Sequence, residues 1–396
     1  MQWFLTLLFL FLGCETKIDI NGYWKINIEL QDKTLPVIVK LQKEKDILSG
    51  FLVNSTEKIP LEGRIIDGKF TFQIGANYAE FQGILKDGKL KGHWIRTNKV
   101  DYRVPFTGNK TSSTDLYKKY ESSNLPFNFT GNWKIKLDQT KTGLGVFKQI
   151  GSRVQGSILT KTGDYRYLDG YIKGSTLTLT GFDGVFSYVI TLLVNGDKFS
   201  GIMQAGKSYR QEISGTKDNS FKLENPLSLA SVKKTKIYPF KYTTFDNEIV
   251  DFSSSEFVDK VKVIQVFGSW CPNCLDETQY FVAWQNKNKA KLNDVKFIAM
   301  AFEQFESLEL AKKALRKTKR KMKMDYPIIL ADYKSTKTVQ EHLPITNFLA
   351  FPTTIILNKK NDVIKIHTGF SGQATGIFFD QFTQMFNETI DKLIKE

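Results

Sequence analysis

The chain has 396 residues, 41% of them hydrophobic and 13% aromatic, which excludes a disordered protein and leaves room for more than one folded domain. Its 56 basic and 41 acidic residues give a formal net charge of +15, which favours contact with anionic surfaces without naming one. Helix-turn-helix and zinc-finger spacings do not accompany the basic residues, so we expect no nucleic-acid partner.

In chain order, the first feature is a largely apolar run from Trp3 to Leu12, which ends at Gly13 and Cys14. The run is too short to span a bilayer but has the length of a signal-peptide core. The segment "FLGC" resembles a bacterial lipobox, in which a small residue precedes a cysteine that becomes lipidated. The resemblance implies a lipoprotein signal peptide over residues 1–13, a lipid on Cys14, and a place in the bacterial cell envelope, facing the periplasm. The alternative is an uncleaved anchor, or a wrongly assigned start, with Cys14 uninvolved.

Residues 17–110 and 127–218 carry the same alternating pattern twice. The stretch "INGYWKINIE" returns as "FTGNWKIKLD", and "IPLEGRIIDGKFTF" returns as "RYLDGYIKGSTLTL", in the same order. Short runs of alternating apolar and polar residues between "DG" pairs indicate antiparallel strands joined by hairpins. We therefore predict two tandem all-β domains, each with about eight strands, and leave open whether each forms a barrel or a sandwich.

Both copies open with Gly-X-Trp, at Gly22–Trp24 and at Gly131–Trp133. This pair of matches resembles the first strand of lipocalin-like barrels. We interpret Trp24 and Trp133 as core residues that close one barrel end, with the lining of a ligand cavity as the alternative. Neither copy carries a cluster of His, Cys or carboxylate residues, so we expect spacers or docking modules.

Two polar segments, residues 111–126 and 219–237, are predicted to be linkers because they lack a sustained apolar period. Further along, residues 311–324 are predicted to form a helix with basic side chains on several faces. A solvated helix face is the simplest interpretation of this charge. Contact with anionic lipid head groups or with an acidic partner is the alternative.

From residue 238 to 396 the pattern changes to strands that alternate with helices. The runs "VKVIQVFGS" and "VKFIAMAFE" suit strands buried on both faces, and each is followed by a helical segment. A hairpin is predicted in "FPTTIILNKKNDVIKIHTGF", before a last helix from about Gly376 to Lys395. With "WCPNC" after the first strand, "FPTT" and "HTGF", residues 240–396 resemble the TlpA-type branch of the thioredoxin superfamily. The resemblance implies a thioredoxin-like α/β domain and membrane-tethered thiol–disulfide reductase activity.

The spacing of Cys271 and Cys274 suits thiol exchange. Pro272 fits the first position of a helix because its missing N–H is not needed there. Unpaired backbone N–H groups and the helix dipole then favour a thiolate on Cys271, which is the reactive form. We predict Cys271 as the nucleophile and Cys274, one turn later, as the resolving thiol.

The resemblance further implies that Pro352 follows a cis peptide bond and faces the cysteine pair. Phe351 and Thr353 would offer their backbone edges to an incoming substrate segment. Trp270 would shield one side of the sulfur atoms, with a core aromatic residue as the alternative.

One position departs from the pattern of thioredoxins. Gln265 stands on the buried strand where they have a proton-accepting Asp, and an amide cannot accept that proton. Glu277, on the helical turn after Cys274, is therefore a candidate acid–base residue. The alternative, which the sequence favours, is a solvated glutamate on the helix surface.

Three interpretations of the cysteine pair compete: redox exchange, a metal site and an inert structural disulfide. Structural zinc takes four ligands, and the chain offers only scattered histidines besides the pair, at His93, His342 and His367. A disulfide that closes so short a loop adds little stability. We therefore predict a redox-active disulfide, without a metal or other cofactor.

The predicted function is that of a membrane-anchored thiol–disulfide oxidoreductase that reduces disulfides in exported proteins. It would depend on an upstream thiol reductant, which the sequence does not identify. Two alternatives stay open. In one, the β repeats bind a ligand or an envelope partner and are the functional part; in the other, the cysteine pair donates disulfides instead of reducing them.

Overall fold

The computed structural model describes residues 19–121, 128–232, 235–343 and 345–396. The predicted signal peptide over residues 1–13 and the predicted lipidation of Cys14 lie outside these residues. Within the described ranges, no helix combines the length and the apolar character needed to cross a membrane.

The first eight strands form a closed antiparallel barrel, in which each strand pairs with the next and β1 closes against β8. The strands are β1 (Gly22–Leu30), β2 (Lys33–Glu44), β3 (Ile47–Asn54), β4 (Glu57–Ile66), β5 (Lys69–Ile74), β6 (Ala79–Lys86), β7 (Lys89–Arg96) and β8 (Arg103–Lys110). The "DG" pairs form tight turns with positive φ at Asp67, Gly68, Asp87 and Gly88, as a two-residue hairpin requires. The fold is thus a barrel and not a sandwich.

A second antiparallel barrel follows. Its strands are β9 (Gly131–Lys136), β10 (Thr142–Ile150), β11 (Arg153–Thr160), β12 (Gly163–Asp164), β13 (Leu168–Lys173), β14 (Thr176–Phe182), β15 (Ser187–Asn195), β16 (Lys198–Ala205) and β17 (Tyr209–Lys217). The barrel closes because β9 pairs with both β10 and β17 while β10 pairs with β11. The short β12 is attached to the end of β11. The predicted tandem pair of all-β domains is confirmed.

The two tryptophans occupy matching positions in the two barrels. Trp24 and Trp133 are buried, and each indole N–H donates to the carbonyl oxygen four residues earlier, Ile20 at 2.8 Å and Phe129 at 3.0 Å. Each belongs to the cluster of apolar side chains that fills its barrel. They are therefore core residues, as the simpler interpretation held.

The C-terminal domain has the predicted order of a thioredoxin-like fold. Its strands are β18 (Ser231–Val232), β19 (Lys241–Thr243), β20 (Ile249–Asp251), β21 (Val261–Phe267), β22 (Val295–Phe302), β23 (Ile328–Asp332), β24 (Ile345–Thr346), β25 (Thr353–Leu357) and β26 (Val363–Thr368); its helices are α1 (Pro272–Lys287), α2 (Leu308–Met322), α3 (Val339–His342) and α4 (Ile377–Lys395). The main sheet has the order β23-β22-β21-β25-β26, with β21, β22 and β23 parallel. Every residue of the central strand β21 is buried, so this strand is fixed in the core and fixes the start of α1, which follows it in the chain.

The described part of the first predicted linker packs against the second barrel and does not hang free. The Tyr117 hydroxyl lies 2.6 Å from Thr180 Oγ1, and the Arg153 guanidinium pairs with Asp115 at 2.9 Å and with Glu121 at 2.7 Å. In the second predicted linker, β18 pairs with β24 of the C-terminal domain. Because both connections are docked, the barrels are not detached spacers.

The basic helix α2 is also less exposed than its sequence suggests. Lys317 Nζ donates to Asn77 O of the first barrel at 3.0 Å, and Lys321 forms an ion pair with Glu62 of the same barrel. Part of this face therefore packs on the first barrel, whereas Lys313, Arg316 and Arg320 are exposed, as predicted for a solvated helix face.

Candidate functional site

The cysteine pair lies at the N-terminus of α1 and forms a disulfide. Cys271 is the N-cap: its backbone is extended, Pro272 takes the first helical position, and the Cys274 N–H lies 3.2 Å from Cys271 Sγ. The first helical turn contains no acidic residue, so the helix dipole favours a negative charge on this sulfur. Cys271 is 6% exposed and Cys274 is 0% exposed, so an incoming group reaches Cys271 first.

The loop before β25 faces this sulfur. The Phe351–Pro352 peptide bond is cis, and Phe351 O lies 3.7 Å from Cys271 Sγ. The Trp270 ring meets the Phe351 ring edge-on at 5.5 Å, and its indole N–H donates to Phe302 O at 3.0 Å. Trp270 and Phe351 therefore form an aromatic wall beside the sulfur.

Thr353, the other residue predicted to offer its backbone to substrate, is placed differently. It is fully buried, and its hydroxyl donates to Ala350 O at 2.8 Å. In the sheet it pairs with Val266 on one side and with Thr368 on the other. Because both of its edges have strand neighbours, only Phe351 of this predicted pair is open to an incoming segment.

Glu277 is not a solvated surface residue, and the interpretation that the sequence favoured is wrong. Its side chain is 0% exposed, and its carboxylate accepts hydrogen bonds from Thr354 Oγ1 at 2.6 Å and from Gln265 Nε2 at 2.9 Å. Burial raises the pKa of Glu277 to about 8, against the opposing effect of these two hydrogen bonds. Gln265 Nε2 also lies 3.3 Å from Cys274 O, so the amide joins the carboxyl to the turn that carries the second cysteine.

A second buried carboxyl lies on the other side of the pair, and sequence reasoning missed it. Glu303 accepts hydrogen bonds from Ser269 N at 2.8 Å and from Ser269 Oγ at 2.7 Å, and burial raises its pKa to about 7. The Tyr78 hydroxyl of the first barrel lies 2.9 Å from the same Ser269 Oγ. The first barrel thus helps to hold the residues just before Cys271, which no local sequence signal indicates.

Arg166 joins all three domains directly behind the site. Its guanidinium lies 2.6 Å from Glu57 of the first barrel, 3.1 Å from Asp183 of the second barrel and 2.5 Å from Asp276 of α1. Its backbone φ is +58°, which a non-glycine residue adopts only when its surroundings hold it there. This cluster, which we call the Arg166 clamp, also could not be found from sequence spacing.

The disulfide opens into a wide cleft between the two barrels and the thioredoxin-like domain, with a volume of about 1210 Å³. The redox domain contributes Trp270, Cys271, Pro272, Asn273, Gln304 and Phe351, and both barrels contribute the facing walls. The repeats, predicted to be spacers or docking modules, form part of the surroundings of the cysteine pair. Among the described residues, no group of three or more His, Cys, Asp or Glu side chains is arranged to hold a metal ion.

Residues 233–376, less than half of the chain, match the Redoxin family model. This match and the fold confirm that the C-terminal domain has thioredoxin-superfamily ancestry and the enzyme class predicted for it, thiol–disulfide oxidoreductase. A search of curated proteins found no match.

Several solved structures match part of this chain. They include a thiol-disulfide oxidoreductase from Bacteroides fragilis (15% identity, 38% of this chain and 99% of that chain, TM-score 0.29). A thiol:disulfide interchange protein of the thioredoxin family from Chlorobium tepidum is 17% identical and covers 40% of this chain and 96% of its own, with a TM-score of 0.29. A secreted disulfide oxidoreductase from Mycobacterium tuberculosis is 14% identical and covers 37% of this chain and 96% of its own, with a TM-score of 0.27.

Proposed function

We propose that this chain, whose C-terminal domain is a thioredoxin-superfamily thiol–disulfide oxidoreductase matched by the Redoxin family model, reduces disulfides in exported proteins from the surface of a membrane. The observation that carries the proposal is the Cys271–Cys274 pair, which caps a helix and borders an open cleft beside the loop that contains Pro352. The lipid tether at Cys14 and the periplasmic location rest on the lipobox-like sequence alone.

In the first step, the Cys271 thiolate attacks one sulfur of a substrate disulfide. A bond forms between Cys271 Sγ and that sulfur, and the other substrate sulfur leaves as a thiolate. The backbone N–H of Cys274 and the helix dipole favour the anionic form of Cys271, while Trp270 and Phe351 flank the approaching sulfur. The product is a mixed disulfide between the enzyme and its substrate.

In the second step, Cys274 loses its proton and attacks Cys271 Sγ, which releases the second substrate thiolate. Two electrons have then passed from the enzyme dithiol to the substrate, and the enzyme holds the Cys271–Cys274 disulfide. Glu277 is the proposed proton acceptor. Its pKa of about 8 lies close to that of a free thiol, about 8.5, so transfer of the proton from Cys274 to Glu277 has a free-energy change near zero. A dithiol donor must then reduce the disulfide before the next turnover.

The roles of the two cysteines are tested by trapping the mixed disulfide in the full chain. The Cys274→Ser variant, mixed with a disulfide-containing protein, should accumulate a covalent complex that a reductant releases, because no second thiol can resolve it. The matched Cys271→Ser variant should form none, since Cys274 is fully buried. Both variants also carry Cys14→Ser, which removes the third cysteine of the chain. Non-reducing electrophoresis and intact-mass analysis measure both. Trapping by Cys271→Ser alone would reverse the two roles, and trapping by neither would end the reductase proposal.

A further inference from the structure

We propose that the cleft between the barrels and the redox domain binds an acidic, extended, cysteine-containing segment of a partner protein. This inference rests on the proposed function, because the cysteine of that segment must meet Cys271. It assigns the barrels, expected from their sequence to be spacers or docking modules, a part in selecting the substrate.

The walls of the cleft carry a net positive charge. Basic side chains outnumber acidic ones along its walls: the basic residues are Arg96, Lys99, Lys134, Lys141, Lys161 and Lys222, and the acidic residues are Asp164 and Glu224. Both acids already have partners within the protein. Glu224 pairs with Lys161 at 2.5 Å, and the buried Asp164 accepts hydrogen bonds from the backbone N–H groups of Gly372 and Arg166. The remaining field is positive, which favours an anionic occupant.

Lys141 and Lys161 pair with Asp138 and Glu224, whereas two other cations of the cleft, Lys99 and Lys134, lie over aromatic rings and form no ion pair among the described residues. Lys99 Nζ lies 5.6 Å from the centre of the Tyr102 ring, and Lys134 Nζ lies 5.3 Å from that of Phe221. A cation–π contact orients an ammonium group without neutralising it. Lys99 and Lys134 therefore keep their full charge for a carboxylate that enters the cleft.

The size and the lining of the cleft favour a peptide over a small disulfide. Its volume of about 1210 Å³ exceeds the range of about 300–1,000 Å³ that is usual for small-molecule sites. Aromatic residues line it from the second barrel, the second linker and the redox domain: Tyr165, Phe186, Tyr188, Phe221, Trp270 and Phe351. Aromatic and arginine side chains are the types enriched where one protein binds another.

Two buried polar atoms of lining residues provide a separate observation. Arg96 and Asn273 are 8% and 9% exposed, and Arg96 Nε and Asn273 Oδ1 have no hydrogen-bond partner among the described residues. Buried donors and acceptors in folded proteins are almost always paired. Both residues line the cleft, and a rotation of each side chain is needed before a peptide carbonyl can accept from Arg96 or a peptide N–H can donate to Asn273, which lies between the two cysteines.

The experiment compares three cystine-bridged peptides of the same length, whose residues around the cysteines are acidic, neutral or basic. Each is reduced by the pre-reduced full chain at low and at high salt, and hydroxyethyl disulfide serves as an uncharged small substrate. The test variant carries Lys99→Glu, Lys134→Glu and Lys222→Glu, at exposed positions in the cleft. The matched control carries Lys86→Glu, Lys173→Glu and Lys198→Glu, at exposed turns of the barrels away from the cleft.

We expect the native protein to reduce the acidic peptide with a kcat/KM about tenfold or more above that of the basic one, with a difference that shrinks as salt is added. The cleft variant should lose this preference, whereas the control variant should keep it. Reduction of hydroxyethyl disulfide should stay unchanged in both variants. Equal rates for the three native reactions, or an equal loss for all substrates in the cleft variant, would overturn the inference.

A binding measurement separates this inference from the proposed function. A fluorescent acidic peptide with Ser in place of Cys is titrated with the oxidised full chain, and its anisotropy is followed. If the peptide binds and the charge reversal at Lys99, Lys134 and Lys222 abolishes binding, the cleft inference stands even when no peptide is reduced. If hydroxyethyl disulfide is reduced and the acidic peptide does not bind, the cleft inference fails and the reductase proposal survives.

Discussion

At the scale of single residues, the proposed mechanism makes Glu277 the group that connects the protonation state of the site to its redox step. Burial raises its pKa to about 8 from the ordinary value of 4.5, so near neutral pH the carboxyl is largely protonated in the folded protein. Its placement has a signal that sequence reasoning undervalued. Residue 277 is three positions after Cys274 and four before Phe281, both fully buried, so all three share one helix face.

The Glu277→Gln variant tests the proton-acceptor role. In the native protein, the rate at which the mixed disulfide is resolved should rise with pH through an apparent pKa near 8, because only the ionised carboxyl accepts the proton of Cys274. The variant should lack this inflection and resolve the complex at least about tenfold more slowly at pH 8. Rapid-quench measurement of the covalent complex between pH 6 and 9 follows both. Glu388→Gln, an exposed change on α4, is the matched control, and an unchanged inflection in Glu277→Gln would rule out the role.

The raised pKa of Glu277 also determines the direction in which the stability of the folded protein changes with pH. The folded state holds this proton more tightly than the unfolded chain, so the stabilisation is complete below pH 4.5 and is lost as pH rises through about 8. Glu277→Gln cannot ionise. Its urea midpoint should therefore fall less between pH 6 and 9 than that of the native protein, and an equal fall in both would contradict the assignment.

At the scale of elements, helix α1 is held by packing against the central sheet and by the ion pair of its Asp276 with Arg166. Burial raises the pKa of Glu57 to about 7 and that of Asp276 to about 6, and the nearby Arg166 opposes both shifts. These carboxyls stabilise the fold most when they are neutral, below their ordinary pKa values, and this contribution is lost as pH rises through about 6 to 7. Above that range, Arg166 is the counter-charge that keeps the three domains together.

Replacing Arg166 with Gln should therefore destabilise the protein in a pH-dependent way. At pH 8 the buried carboxylates lose their cation, and breaking such a buried pair costs about 3–5 kcal/mol. At pH 5 the carboxyls are largely protonated, so the loss should be much smaller. Urea midpoints at both values measure the difference. Arg210→Gln, which removes a half-exposed partner of Asp32, is the control and should shift neither midpoint; an equal shift at both pH values in Arg166→Gln would contradict the clamp.

At the scale of the whole molecule, local and periodic features could be predicted from the sequence, and contacts between domains could not. The tandem repeat, the strand order of residues 238–396 and the cysteine pair follow from short-range patterns. The choice of barrel over sandwich depends on the pairing of β1 with β8, which periodicity does not encode. The contact of Tyr78 with Ser269 spans 191 positions of the chain, and nothing near either residue indicates the other.

The contacts between domains, which the sequence does not encode, bear directly on function. Because the packing of the three domains is decided by surface contacts and not by motifs, the sequence left open whether the barrels are spacers or docking modules. In the fold they border the disulfide, and their basic residues line the cleft into which Cys271 opens. Selection of the substrate and the thiol chemistry are therefore expected to reside in different domains of one packed unit.

The central claim is that the Cys271–Cys274 pair works as a reductant, and its reduction potential tests this most directly. The full chain is equilibrated with mixtures of reduced and oxidised dithiothreitol or glutathione, and the fraction of dithiol is read by thiol-specific mass labelling. We predict a potential near that of thioredoxin, about −270 mV, which requires a supply of electrons. A potential near about −120 mV, as in a strong disulfide donor, would contradict the account and reverse the direction of electron flow.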